Sequence, residues 1–413
     1  MKFDTYHISS NIKRNLSDLG FKRPTDIQFK AIPSIMKGED VLAIAQTGTG
    51  KTAAFAIPII DKIHSTKKSK QSWGIKCIVM VPTRELAAQI GNVFDQLSKH
   101  TKTKAFAVYG GVEQDPQIKK LGDGIDVLVA TPGRMFDLIS QGVINLKQVD
   151  TLVIDEADQM LDLGFIKDIT AVKKKLFQKH QTLFFSATIN KEIKKLAFSQ
   201  VKSSAIRIQI SPDDPVSKNV SHFVMFVEMD DKRFFLRRFI NDNPEARIIV
   251  FVRTRVRAER VAKALERGNI KSATIHGEKD QKDRTDVMNR FKAGEMNILI
   301  ATDVSARGID IADVHYVINY DLPEKSENYV HRVGRTGRGV KKGIAISFCS
   351  TEEKELLDAI QGFLNKKIEM IPISKKEHDD TTTFANETES YQDLIKEQED
   401  WEKKNRKKRK KTK

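Results

Sequence analysis

VLAIAQTGTGKT, residues 41–52, is the stretch on which the fold turns. Its opening run, VLAIA, is unbroken in apolar residues, as a strand covered on both faces should be. Its remainder, AQTGTGKT at 45–52, places Gly48 and Gly50 ahead of Lys51 and Thr52, in the position of a turn that opens a helix. The glycines let backbone N–H groups approach phosphate oxygens, and the helix that follows adds its positive end. Ala45, Gln46, Thr47, Gly48, Thr49 and Gly50 would then wrap a phosphate chain. Lys51 would reach the β- and γ-phosphates, and the Thr52 hydroxyl would take a magnesium ion. The usual pattern begins with glycine where Ala45 stands, so the match is loose there. A chance glycine-rich strand–helix turn is the other reading.

The same alternation extends outward. KCIVMV (76–81), FAVYG (106–110), VLVAT (127–131), TLVIDE (151–156) and TLFFSAT (182–188) read as further buried strands, separated by amphipathic stretches such as RELAAQIGNVFDQLSKH. That order predicts an α/β fold with a parallel, doubly wound sheet. SPDDPVSKN at 211–219 is polar, with two prolines, and reads as a linker. The alternation resumes in FVMFVEM (223–229), RIIVFVRT (247–254), SATIHG (272–277), NILIATD (297–303), VHYVINYD (314–321) and GIAISFC (343–349). FVRTRVRAER stands where a second glycine-rich loop would be sought, so one nucleotide site is expected, completed from across a cleft. We therefore expect a first domain over 1–210, a linker over 211–219 and a second domain over 220–374. Residues 375–413 are expected to be a disordered tail, acidic over 377–402 and then KKNRKKRKKTK.

A chain of 413 residues fits two domains of about 200 each. Its net charge of +16 suits a polyanionic partner, nucleic acid first, although a solubility charge reads equally well. No run approaches the roughly 20 apolar residues of a membrane span. MKFDTYHISS lacks the pattern of an export signal. Both cysteines, Cys77 and Cys349, lie in apolar runs, which suits a reducing cytoplasm better than a disulfide framework.

The second chemical signal is DEAD at 155–158, at the end of the apolar run TLVI. Asp155 at the carboxyl edge of a strand can hold a hydrated magnesium ion. Glu156 beside it can orient or deprotonate an attacking water. An acidic helix cap is the alternative for an isolated pair of this kind. Downstream of a phosphate loop it is the weaker one.

With these motifs the chain resembles the DEAD-box RNA helicases over nearly all of residues 1–370. GFKRPTDIQ (20–28) is similar to the family's Q motif, with Phe3 as the isolated aromatic ahead of it. PTREL (82–86), Gly110–Gly111, TPGR (131–134) and SAT (186–188) follow in the first half. VFVRT (250–254), HGEKDQKDR (276–284), ATDVSARGID (301–310) and HRVGRTGR (331–338) follow in the second. The resemblance implies two RecA-like domains that bind ATP and Mg2+ in the cleft between them and hold RNA.

By that resemblance Phe21 would stack on the base and Gln28, beside Thr25, would read it. A primary amide matches the donor–acceptor pair on adenine, whereas guanine offers two acceptors there. Without the motif spacing, Gln28 would read as a helix cap and Phe21 as core. Asp310 would bind the ribose. Arg335 and Arg338 would act as arginine fingers supplied across the cleft, an effect worth about 10³ to 10⁵ in rate. Asp158, Ser186, Thr188 and His331 would link the ATP and RNA sites.

Thr83, Arg84, Gly111, Thr131 and Arg134 would track RNA in the first domain, and Arg253, Thr254, Gln281, Arg284 and Thr302 in the second. These groups suit phosphates rather than base edges, so binding without sequence preference is implied. Arg253 departs from relatives that carry a neutral polar residue, and it would add either a phosphate contact or a surface charge. Opening ten base pairs costs about 14 kcal/mol on the DNA scale, so local strand separation is expected. A DNA translocase, an RNA clamp without turnover and a small-molecule phosphotransferase are the competing readings. The Q motif, the intact Glu156 and the second domain respectively speak against them.

Overall fold

The computed structural model describes residues 2–46, 48–69, 74–210, 216, 219–303, 314–337 and 342–386, with residues 382–386 described through their backbone only. Two seven-stranded sheets carry the fold. The first contains β1 Val41–Ile44, β2 Cys77–Met80, β3 Ala105–Val108, β4 Val127–Ala130, β5 Thr151–Ile154, β6 Gln181–Ser186 and β7 Ile206–Gln209. The second contains β8 Val220–Phe226, β9 Ile248–Phe251, β10 Ala273–Ile275, β11 Ile298–Ala301, β12 Tyr316–Asn319, β13 Gly343–Cys349 and β14 Glu369–Met370.

Their orders are β3-β4-β2-β5-β6-β1-β7 and β10-β11-β9-β12-β13-β8-β14, the same order position by position. Every pairing is parallel. Parallel strands need crossovers, and the intervening helices cover both faces. Val41 and Ala43 accordingly face one apolar layer, Leu42 and Ile44 the other. Ile249 and Phe251 against Ile248 and Val250 repeat this in the second sheet. Chemistry then belongs at the carboxyl ends of the strands, where the loops converge. Among the described residues no helix is long and apolar enough to cross a membrane.

Several expectations are corrected. The edge strands β7 and β14 escape a reading tuned to continuous apolar runs, because IRIQ alternates at an edge and β14 is a two-residue, exposed strand. The edge strand β3 is only partly covered, and β8 alternates in burial and starts at Val220. The linker expected over 211–219 falls outside the described residues except at Val216 and Asn219. Val216 is buried in the core of the second sheet, and the Asn219 carbonyl accepts the Gly343 N–H.

Residues 375–386, expected to be disordered, form a helix, Lys375–Asn386. It packs on the helix Lys232–Asp242, with Arg238 Nη1 donating to Thr381 Oγ1 at 2.7 Å and His378 3.2 Å from Asp231. Ser374 and Glu377 cap its start reciprocally, which the spacing Ser-x-x-Glu already encodes. The rest of the expected tail, 387–413, lies outside the described residues.

Candidate nucleotide and RNA cleft

The turn after β1 leads into the helix Lys51–Thr66 through Gly48 and Gly50, both left-handed at φ 82° and 92°. Gly50 has no alternative, since a Cβ there would meet the Gln28 amide. Thr49 Oγ1 donates to the Gln46 carbonyl at 2.7 Å and closes the turn. Lys51 is buried, and its ammonium has no hydrogen-bond partner among the described residues. A buried cation left unpaired is costly unless an anion is to be supplied from outside. Thr52 follows it, half-buried.

Gln28, buried at the start of the helix Asp26–Met36, does two things at once. Its carbonyl oxygen accepts the Thr25 N–H at 3.0 Å, and its amide donates to the Gly50 carbonyl at 3.2 Å. The cap expected as the plainer reading is therefore present, and it also ties the Q-motif helix to the phosphate turn. Phe21 is only partly buried, edge-on to Phe3 at 6.1 Å between ring centroids.

At the end of β5, Asp155 and Glu156 are both buried. Burial pushes the Asp155 carboxyl up to about 6, with Glu156 and Asp158 adding to the rise and Lys51 opposing it. Asp155 is thus a carboxylate that needs a cation. Glu156 sits in the left-handed region at φ 50°, a conformation a non-glycine residue adopts at a cost, at the head of the helix Ala157–Asp162. Its N–H donates to Asp155 at 2.9 Å, which orients the pair.

Asp158 collects the backbone N–H groups of Ala187 and Thr188 and the Thr188 hydroxyl, all within 3.1 Å. His331, from the second sheet's side, stands 3.5 Å away. Burial alone would raise the Asp158 carboxyl, but His331, Lys51 and Thr188 outweigh it and hold it well below the usual range. Ser186 is fully buried and donates to the Thr188 carbonyl at 2.8 Å. Arg335 is buried with its Nε on the His331 carbonyl at 3.1 Å. Thr47, Asp310 and Arg338 lie outside the described residues.

Among the described residues no three His, Cys, Asp or Glu side chains converge on a metal position. Asp155 and Thr52 offer the carboxylate and hydroxyl oxygens that would hold a magnesium ion.

Residues 25–196 match the DEAD/DEAH box helicase family, and residues 231–340 match the helicase conserved C-terminal domain. The chain belongs to the DEAD/DEAH box helicase family. An ATP-dependent RNA helicase RhlB from Shewanella sp. (strain W3-18-1) is 38% identical over 371 residues, 89% of this chain and 84% of that protein. In structure the chain is similar to S. cerevisiae Dbp5 bound to RNA and ADP BeF3, with a TM-score of 0.83 and 29% identity, covering 94% of this chain and 99% of that one. Mss116p bound to ssRNA and AMP-PNP gives 0.84 and 27% identity, covering 95% and 84%.

In this helicase the residues expected to hold RNA line both sides of the cleft at the strand ends. Thr83 and Thr254 are equivalent caps after β2 and β9, accepting the N–H of Leu86 at 3.3 Å and of Arg257 at 3.2 Å. A Cβ on Gly111, which has φ 75°, would land on the Arg84 guanidinium, so glycine is required beside that arginine. Arg134 donates to the Val112 carbonyl at 3.1 Å, and Thr131 starts the helix Pro132–Ser140. The Thr302 N–H donates to the Ile275 carbonyl at 3.4 Å, joining the ends of β10 and β11.

Arg84, Gln281 and Arg284 meet across the cleft. Arg284 pairs with Glu85 at 2.8 Å, Gln281 donates to Glu85 at 3.3 Å, and Arg84 donates to Gln281 at 3.5 Å. Arg253 differs from the rest. Its guanidinium lies 3.2 Å from Glu353 and 3.9 Å from Glu324, so internal carboxylates hold it.

Sequence reasoning passed over four groups. Glu85 bridges the domains from within PTREL. Lys325 and Asp162 pair across the rim at 2.7 Å. Arg332, nearly inaccessible, forks onto Asp303 with 2.5 and 2.9 Å contacts and so ties ATD to HRVGRTGR. Lys232 and Glu353 form a buried pair. Glu85, Asp303 and Arg332 lie inside the family's motifs, but only proximity in the fold shows that they are paired.

Proposed function

We propose that this ATP-dependent RNA helicase of the DEAD-box type binds ATP at the β1 turn, closes the second domain over it and clamps single-stranded RNA across the cleft. The observation that carries this reading is the buried Lys51 ammonium, which has no hydrogen-bond partner among the described residues and lies in the field of Asp155 and of Asp158, the latter linked to His331 in the other domain.

Phe21 offers a ring face to the base. Gln28 keeps one N–H and one lone pair beyond its two internal bonds, enough to meet N6 and N7 of adenine. The backbone of residues 45–50 and Lys51 cradle the phosphates, and Asp310 takes the ribose. Thr52 and Asp155 would hold Mg2+, which neutralises charge on the β- and γ-oxygens. Glu156 orients the water and accepts its proton. Arg335 and Arg338 reach the γ-phosphate from the second domain, so hydrolysis waits for closure. Asp158, Ser186, Thr188 and His331 transmit closure between the ATP and RNA sites.

RNA phosphates replace the contacts that Arg84, Gln281 and Arg284 make across the cleft. Thr83, Gly111, Thr131, Arg134, Thr254 and Thr302 add further contacts, and Arg253 plays a lesser part because Glu353 holds it. Binding of this kind reads no sequence, and it opens short duplexes locally and releases RNA after hydrolysis. Two free, buried cysteines suit a cytoplasmic setting. ATPase assays with single-stranded RNA and DNA of equal length test the reading. Stimulation by RNA alone is expected, and equal stimulation by DNA would contradict it.

A further inference from the structure

Half of the molecule's charge surplus sits in one short piece of the first domain. Between Lys173 and Arg207 there are eight lysines and one arginine against a single carboxylate, Glu192, a surplus of eight out of +16. The fold gathers much of this segment at the edge of the sheet away from the nucleotide. Lys173 Nζ donates to the Ser199 carbonyl at 3.1 Å, and Lys202 Nζ lies 3.3 Å from the His180 carbonyl and 3.2 Å from Asp40. Asp40 precedes β1 and Gln181 opens β6, whereas Lys51 and Ser186 lie past or at the other ends of those strands. The six residues of β6 thus separate this edge from the cleft by about 20 Å.

Lys202 and Lys173 are taken up internally, but Lys174, Lys175 and Lys179 are exposed, and their ammonium groups have no partner among the described residues. Between them stands Phe177, 74% exposed, more than any other large apolar side chain among the described residues. A bare aromatic face among unpaired ammonium groups is the chemistry that holds single-stranded nucleic acid, with bases on the ring and phosphates on the lysines. An acidic polypeptide would meet the charges but gives no use for the ring.

We propose that Lys174, Lys175, Phe177 and Lys179 form a second RNA-binding surface, remote from the cleft, for single-stranded RNA flanking the clamped segment. The proposal rests on RNA being the substrate. Its role is to retain a long RNA while the cleft opens.

The full chain is titrated with unstructured RNA of about ten nucleotides, enough for one site, and of about forty. Affinity is read directly and from half-saturation of the ATPase. The wild type binds the longer RNA more tightly. K174A/K175A/K179A should lose that excess, about tenfold, and flatten the salt dependence by about 0.7 log unit per lost phosphate contact, so about 2 in all. Binding of the short RNA and saturated turnover stay unchanged. Phe177→Ala should lose about fivefold on the long RNA with the salt slope intact, since it removes stacking and no charge.

If both variants keep the wild-type length dependence and salt slope, the surface does not bind RNA. That result together with loss of poly-glutamate binding would assign it to an acidic protein and equally overturn the proposal. A wild type unmoved by the short RNA would instead undo the reading of the cleft.

Discussion

Lys51 and Lys232 occupy the same place in the two halves of the molecule. Each is the first residue of the helix that follows the first strand of its sheet, and the two sheets share one strand order. Lys51 ends without a hydrogen-bond partner among the described residues. Lys232 is wholly buried, donates to the Tyr320 carbonyl at 2.7 Å and pairs with Glu353. Glu353 is itself saturated by the Leu322 and Ser350 N–H groups and by Arg253.

The fold therefore makes the same cationic position twice. One half supplies the anion from its own chain and is sealed, and the other leaves the Lys51 ammonium without a hydrogen-bonded anion among the described residues, the place we propose for a nucleotide phosphate. The equivalent of the glycine-bearing turn is accordingly VEMDD at 227–231, after β8. FVRTRVRAER instead corresponds to the PTREL region, as its matching threonine cap shows.

Substituting each lysine by methionine tests this comparison with the largest effect. Lys232→Met leaves Glu353 short of its buried partner and should destabilise the protein by about 3–5 kcal/mol. Nucleotide binding should survive wherever that variant is folded. Lys51→Met should cost less, because no hydrogen bond or ion pair is lost and only the longer-range attraction to Asp155 and Asp158 goes, yet abolish ATP binding. Chemical denaturation and nucleotide titration of both variants check the pair. Equal stability losses would break the comparison.

A pH dependence sharpens it. Without nucleotide, Asp155 is a buried carboxylate whose pKa is raised to about 6. The native state then binds its proton at a higher pH than the unfolded chain does, so the group's contribution to stability is fully present below the ordinary value of 3.8, is lost as pH rises from there through about 6, and above that the ionised group opposes folding. Asp155→Asn removes the buried charge. The variant should melt above the wild type at pH 7–8, since each tenfold gain in proton affinity on folding corresponds to about 1.4 kcal/mol, and the gap should narrow as pH falls below about 6 and close only near the ordinary carboxyl value of 3.8. A gap independent of pH would place the titration elsewhere.

Gln28→Ala should have the smallest effect. Losing two neutral hydrogen bonds and a cap should weaken ATP binding about five- to tenfold and narrow the margin over GTP. An unchanged margin, measured by competition between the two nucleotides, would show that the base is read elsewhere.

The comparison also explains what could be read from the sequence. Strands buried on both faces announce themselves as apolar runs, so the central strands of both sheets were legible, and β7 and β14 at the edges were not. Short motifs with local geometry, such as the Gly48–Thr52 turn and the Asp155–Glu156 step, were legible for the same reason. The Glu85–Arg284, Lys325–Asp162, Arg332–Asp303 and Lys232–Glu353 pairs join residues far apart in the chain or in different domains. Sequence spacing carries no signal for such pairs. The helix at 375–386 carried its Ser-x-x-Glu signature but lacked apolar periodicity, because it is held largely by polar contacts with Arg238 and Asp231.

If ATP closes the cleft on RNA and hydrolysis releases it, as we propose, a variant that binds ATP without hydrolysing it should hold RNA. Glu156→Gln keeps shape and hydrogen bonding while removing the base, which costs about 10²- to 10⁴-fold in turnover. With ATP present, RNA dissociation from this variant should be far slower than from the wild type, and from Lys51→Ala it should be fast and indifferent to ATP. Should Glu156→Gln and Lys51→Ala release RNA equally fast with ATP, nucleotide binding does not close the clamp and the account is wrong.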